Sequence, residues 1–207
     1  MRLRRPSRRG ERGVALVEAA IILPFVVLLL IGVVEAGFAY NDGNILARAT
    51  QQAARSDSRL AENLSADYEA IRSLEAGLSG LRASSIERVI VYDATTTGDT
   101  PPAACLAVAR PDDTSTRGVN AGAVRCNVYS ATQVSTDAPN RFGCGGGSWD
   151  SFFCPSSRSQ DTPNPDRIGV WVELNYDKLT KVLPGSISLT RASVYQLEPC
   201  IAGVSTC

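Results

Sequence analysis

The residues of this sequence with the most distinctive chemistry are one carboxylate and six thiols. Glu18 lies five residues after Gly13, inside a stretch that is otherwise apolar. A carboxylate in such surroundings is costly to leave ionised, and it usually has a partner of opposite charge. The thiols follow that stretch and are even in number, which predicts three disulfides in an exported part of the chain. They are Cys105, Cys126, Cys144, Cys154, Cys200 and Cys207.

Several kinds of catalytic site are excluded by composition. The sequence contains no histidine, which removes every Ser-His-Asp or Cys-His arrangement and every His-ligated metal. No C-x-x-C pair is present, so we expect no structural zinc site. The glycine-rich segment at residues 143–150 lacks the Lys-Ser/Thr of a phosphate loop. We therefore expect no enzymatic activity, no metal and no cofactor.

The charge of the chain is concentrated at its beginning. Residues 1–13 hold six arginines and one glutamate, whereas residues 14–207 hold 15 basic and 20 acidic side chains. A basic end followed at once by an apolar run is typical of a membrane-inserted segment whose basic side stays cytoplasmic. A nucleic-acid surface would instead place its basic residues on a folded face with aromatic residues among them. We expect a membrane as partner and no nucleic acid.

The apolar run is long enough to cross a membrane. Residues 19–34 carry no charge, and residues 14–40 include only the carboxylates Glu18 and Glu35. As a helix, residues 14–40 would extend about 40 Å, against a bilayer core of about 30 Å. This predicts a single-pass transmembrane helix with the following residues outside, and Glu35 near the outer interface where water can solvate it. Two interpretations are a permanent signal anchor and a secretory signal cut after Ala39.

A third interpretation depends on the spacing of Gly13 and Glu18. Glycine, four apolar residues and a glutamate form the cleavage signature of type IV prepilins. In that signature the basic leader is removed after Gly13, Val14 becomes the new N-terminus, and the apolar helix stays on the mature chain. The Glu18 carboxylate can then pair with the terminal ammonium of a neighbouring subunit, which neutralises two charges that hydrocarbon would penalise.

The surrounding residues resemble those of the TadE-like pseudopilins of tight-adherence (Flp) pilus systems, over residues 8–60 and 168–199. Family positions coincide with Gly13, Glu18, Pro24, Gly32 and Glu35. Residues 95–165 resemble nothing that we can name. The resemblance implies a minor pilin-like (pseudopilin) subunit of the cytoplasmic membrane or the pilus. It also implies as partners a prepilin peptidase, other pilin-like subunits and the pilus assembly machinery.

The pattern of apolar residues predicts an α+β fold with a mainly antiparallel sheet. We expect a basic leader at 1–13, a membrane helix at 14–40, a helical stalk at 41–82 and an exported head at 83–207. The first helix should continue to about residue 59, with a bend possible at 41–44, and a second helix should begin at Ser65. Strands are predicted at 86–92, 105–109, 124–130, 168–176 and 187–197, with a short helix at 177–183.

The long loop predicted at residues 131–167 leaves two questions open. Six cysteines allow fifteen connectivities, of which locality favours Cys105–Cys126, Cys144–Cys154 and Cys200–Cys207. The loop also carries Trp149, Phe152 and Phe153, which form either a patch for a partner or a buried cluster. The first possibility supports a rival function, that of a membrane-anchored extracytoplasmic adhesin or binding module.

Overall fold

The computed structural model describes residues 9–81, 84–109, 115–161, 163–178 and 185–199. Its first element is a single helix, α1 (Arg9–Leu60), of 52 residues. Pro24 lies within the helix, as a membrane helix tolerates. The helix also passes without interruption through residues 41–44, where the poor helix formers made a bend possible.

A second helix, α2 (Ala66–Leu78), folds back along the end of α1. The two helices approach closely because small residues meet between them. A Cβ atom added to Gly77 would lie 2.8 Å from the Cβ of Ala49, which is too close for two carbon atoms. Ile71, Leu74 and Leu78, whose spacing places them on one face of α2, are all buried.

The strands form one antiparallel sheet with the order β2-β3-β1-β4-β5. The pairing of β1 with β4 runs along nearly the whole of both strands, with one irregularity at Ile86/Arg88. The predicted α+β class with an antiparallel sheet is thus confirmed. The strands are β1 (Ser84–Asp93), β2 (Arg117–Ala121), β3 (Val124–Ser130), β4 (Arg167–Asp177) and β5 (Ser186–Gln196).

The main core lies between the helices and one face of the sheet. The period-two pattern of β4 puts Val170, Val172 and Leu174 on this face, where all three are buried. A smaller cluster fills the opposite face, where Ile90 and Val128 pack with Cys105 under a short helix, α3 (Ala103–Leu106).

The strand predicted at residues 105–109 is wrong, because α3 occupies its first residues. Pro102 immediately precedes this helix, and a proline there loses no helical hydrogen bond. Alanine and leucine then favour helix over strand. In place of the predicted strand, the sheet contains β2, and the β2 sequence RGVNA has little strand propensity. We attribute β2 to its pairing with β3, since its own residues do not predict it.

The segment predicted as a loop at 131–167 has local structure. It begins with a helix, α4 (Ala131–Ser135), in which Ser130 and Gln133 form a reciprocal capping box. Two 3-10 turns follow, at Pro139–Arg141 and Pro155–Ser157. Of the short helix predicted at 177–183, Asp177 is the last residue of β4, while residues 179–183 lie outside the described residues.

Candidate membrane anchor and assembly helix

Helix α1 consists of two halves that differ in their contacts. From Gly13 to Val34 the helix projects from the head, and its most apolar window is not buried against any other part of the chain. From Glu35 onward one face is buried against the head. The projecting half has about 22 residues and a length of about 33 Å, close to the thickness of a bilayer core. Within the described residues, it is the one helix long and apolar enough to span a membrane.

The residues of the predicted processing and assembly site all lie on the projecting half. Gly13 has open space where a Cβ atom would stand, and Val14 is 62% exposed. Glu18 is also exposed, one helical turn after Val14. The structure therefore presents these residues away from the head, where another molecule can reach them.

Glu35 does not face water, contrary to the expectation from its place at the end of the apolar run. The side chain is only 5% exposed. The hydroxyl of Tyr176, on β4, donates a hydrogen bond of 3.1 Å to Oε1 of Glu35. Burial raises the pKa of Tyr176 to about 12, and the hydrogen bond to Glu35 acts in the same direction. The contact of helix and head thus begins at Glu35, because β4 reaches α1 at that level.

A second carboxylate lies one heptad further along the same face of α1. Asp42 is 1% exposed, and its Oδ2 accepts a hydrogen bond of 2.8 Å from the hydroxyl of Ser84 at the start of β1. Each buried carboxylate needs a hydrogen-bond donor, and here strands of the sheet supply both donors. Glu35 and Asp42 therefore fix the rotation of α1 relative to the sheet in a way that apolar packing alone would not.

A buried charge network joins the end of α1 to the rest of the head. Arg158, which follows the second 3-10 turn, is fully buried and lies between two equally buried carboxylates. Its Nη1 is 2.7 Å from Oδ1 of Asp57, on α1, and its Nη2 contacts Asp67, on α2. Asp67 also accepts hydrogen bonds from Asn127 and Tyr129 of β3.

The network has one cation for two carboxylates, and the two are not equally supported. Asp67 accepts hydrogen bonds from the side chains of Arg158, Asn127 and Tyr129. By contrast, Oδ2 of Asp57 has no hydrogen-bond partner among the described residues. Burial raises the pKa of Asp57 to about 7, against the lowering effect of Arg158, and the charge of Asp67 raises it further. Asp57 therefore takes up a proton at a higher pH than an ordinary aspartate does.

Sequence reasoning missed this network, although part of its signal was present. Ala49, Ala53 and Asp57 repeat every four residues, so the face that buries the alanines must also bury the aspartate. Nothing comparable identified Arg158, since it lies in a segment without periodicity. Its position follows from the fold of residues 139–160.

The described part of the chain contains two disulfides, Cys105–Cys126 and Cys144–Cys154. These are two of the three pairings that locality favoured, and Cys200 and Cys207 lie outside the described residues. Cys105–Cys126 attaches α3 to β3. Cys144–Cys154 closes the segment that leads to Arg158. Within it, Asp150 accepts hydrogen bonds from the backbone N–H groups of Gly143 and Cys144, at 2.9 and 3.0 Å.

The aromatic residues of this segment belong mostly to the core. Trp149 is 2% exposed and Phe153 is fully buried, while Phe152 is half-buried and packs against Gly118 of β2. Phe142 connects the segment to α2 and β3, because its ring contacts those of Tyr68 and Tyr129. Of the two possibilities left open by the sequence, the structure shows burial.

Comparison with known protein families finds a similarity over most of α1. Residues 13–55 match the family described as TadE-like protein. The match begins at Gly13, covers the whole projecting half of α1 and ends within the packed half. Neither a curated protein nor a solved structure matches the chain. The resemblance of residues 168–199 stays a prediction. Residues 13–55 of this chain are thus similar to TadE-like proteins, a likeness that suggests an association with the tight-adherence pilus.

Proposed function

We propose that this chain is a minor pilin-like (pseudopilin) subunit for assembly of a tight-adherence (Flp) pilus, with a structural and not a catalytic role. A prepilin peptidase would cut it after Gly13, leaving Val14 as the N-terminus. The main support for the proposal is that three features occur at the same residues. The TadE-like match starts at Gly13, the helix projects from the head over the same residues, and Glu18 is exposed on it at the fifth position of the proposed mature chain.

The proposed topology follows from charge and from the disulfides. The arginines of residues 1–13 would remain in the cytoplasm, by the positive-inside rule. The head would then lie outside the cytoplasmic membrane, where an oxidising environment favours Cys105–Cys126 and Cys144–Cys154. The projecting half of α1 would occupy the bilayer until assembly.

Assembly would depend on a charge pair between subunits. Cleavage after Gly13 creates an ammonium group at Val14, which the uncut chain does not have. In a region of low dielectric constant both this group and the Glu18 carboxylate are expensive to leave unpaired. The Val14 ammonium of one subunit and the Glu18 carboxylate of its neighbour would compensate each other as their helices pack together.

The experiment compares Glu18→Gln with Ala20→Gln in cells that carry the pilus machinery. Glu18→Gln keeps the shape and removes the charge, while Ala20→Gln adds an amide at an exposed position nearby and leaves Glu18 intact. We expect both variants to insert into the membrane. Only Glu18→Gln should lose co-purification with other pilin-like subunits and reduce piliation. Equal co-purification and equal piliation in the two variants would contradict the charge pair.

The rival function, a membrane-anchored adhesin or binding module, loses its main support in this structure. It relied on an aromatic patch at residues 131–167, and Trp149 and Phe153 are buried instead. Deletion of the segment would not test adhesion, because it would remove Arg158 from the core. A sharper test replaces exposed residues there, such as Arg141 and Asn140, and measures adhesion of piliated cells, which we expect to remain unchanged.

A further inference from the structure

The end of the head nearest the projecting half of α1 is defined by a chain of contacts. Tyr176 of β4 reaches Glu35 on α1, and Tyr176 is paired with Ile187 of β5. Ile187 therefore lies at the level where the projecting half of α1 ends. It is one of the few large apolar side chains of the head that is exposed, at 42%.

Apolar and aromatic side chains of α1 lie at the same level. Val34 is 51% exposed and Tyr40 is 75% exposed, with Phe38 half-buried between them in sequence. Val34 and Tyr40 are about 9 Å apart along the helix, comparable with the polar layer of a bilayer, which is about 5 to 7 Å deep on each side. We call Val34, Phe38, Tyr40 and Ile187 the membrane-proximal rim.

Two carboxylates at this level are covered. Glu35 and Asp42 would oppose contact with a lipid surface if they were exposed, but Tyr176 and Ser84 provide them with hydrogen bonds inside the protein. Among the described residues, the charged groups at the adjoining end of β4 are Asp177 and Lys178, which have opposite signs. The rim thus combines exposed apolar surface with little net charge.

We propose that the membrane-proximal rim lies in the interfacial layer of a phospholipid bilayer, so that the head is seated on the membrane. Val34 is both the last exposed apolar residue of the projecting half of α1 and a member of the rim, so a single partner can cover both. Aromatic side chains are enriched at this depth because a bilayer interface accommodates a ring with one polar end. This inference rests on the proposed membrane insertion of α1 and adds a second contact to it.

The test uses full-length protein reconstituted in vesicles of phosphatidylcholine and phosphatidylglycerol, with part of the phosphatidylcholine brominated near the start of its acyl chains. Ile187→Trp reports on the rim. Leu28→Trp reports on insertion of α1, and Leu64→Trp is the matched control, since Leu64 is 47% exposed in the turn at the far end of the helix. The fluorescence of wild-type protein, from Trp149 and Trp171, is subtracted.

We expect brominated lipid to quench Ile187→Trp and Leu28→Trp and to leave Leu64→Trp unchanged. Quenching of Leu28→Trp without quenching of Ile187→Trp would overturn the seated head and leave the membrane anchor intact. Absence of quenching at Leu28→Trp would overturn the anchor and the seated head together. Equal quenching at Ile187→Trp and Leu64→Trp would also overturn the inference, because Leu64 lies at the far end of the helix and quenching there would not be specific to the rim.

Discussion

The hydroxyl of Tyr176 lies 3.1 Å from Oε1 of Glu35 and donates a hydrogen bond to it. This hydrogen bond joins β4 to the middle of α1, a helix of 52 residues. This contact marks the point at which α1 changes from a projecting apolar rod to a packed amphipathic helix. Glu35 is the residue at which burial of α1 against the head begins, and its hydrogen bond fixes the height at which the head is attached.

Loss of this hydrogen bond should destabilise the head. In Tyr176→Phe the carboxylate of Glu35 loses a donor while it remains buried, so we expect the free energy of unfolding to fall by about 1 to 3 kcal/mol. The measurement is urea denaturation of detergent-solubilised protein, followed by tryptophan fluorescence. The control is the double-mutant cycle with Glu35→Gln: effects that simply add would show that the two side chains are not coupled.

The proton on Asp57 should make stability depend on pH. Its pKa is about 7 in the folded chain, against 3.8 for an ordinary aspartate. The folded state therefore binds more protons than the unfolded state between these values, and stability should fall as pH rises from about 4 to about 7. The difference between wild type and Asp57→Asn isolates this contribution. A difference that is flat over this range, or that rises with pH, would contradict the assignment.

Removal of Arg158 should be among the most damaging substitutions in the head. Arg158→Met leaves two buried carboxylates without their cation, so we expect a loss of about 3 to 5 kcal/mol. Arg55→Met is the matched control, since Arg55 is exposed on α1 and its replacement should change stability by less than about 0.5 kcal/mol. The free energy of unfolding of both variants is measured by thermal and urea denaturation. Similar losses in the two variants would contradict the special contribution of Arg158 to the stability of the head.

The redox state of the head should report its compartment. If the head is exported, Cys105, Cys126, Cys144 and Cys154 should resist alkylation in intact protein and react only after reduction and unfolding. Mass spectrometry of peptides alkylated before and after reduction identifies each site. Free thiols at all four positions in protein taken directly from cells would place the head in the cytoplasm and reverse the proposed topology.

The parts of this fold that the sequence predicted are those with a regular pattern. The uncharged run at residues 19–34 predicted the projecting half of α1, and the strand predicted at residues 168–176 is β4. Short elements were harder because their neighbours determine them. The segment Cys105 to Ala109 was predicted as a strand, whereas Pro102 and the helix propensity of alanine and leucine make its first residues helical.

The polar contacts between α1 and the head were predicted least well. Glu35 was expected to face water because it ends an apolar run, and position along the chain cannot show that Tyr176, 141 residues later, covers it. The same reasoning applies to Arg158 and Asp57, which are 101 residues apart. Long-range pairs of this kind depend on strand order and on the path of a loop, neither of which has a local signature.

Processing after Gly13 is the central claim, and the N-terminus of the protein tests it most directly. The measurement is the intact mass and N-terminal sequence of protein extracted from membranes of cells that contain the prepilin peptidase, beside cells that lack it. The account predicts a chain that begins at Val14 when the peptidase is present and at Met1 when it is absent. A chain that begins at Met1 in both, or at Tyr40 after removal of the whole apolar run, would contradict it.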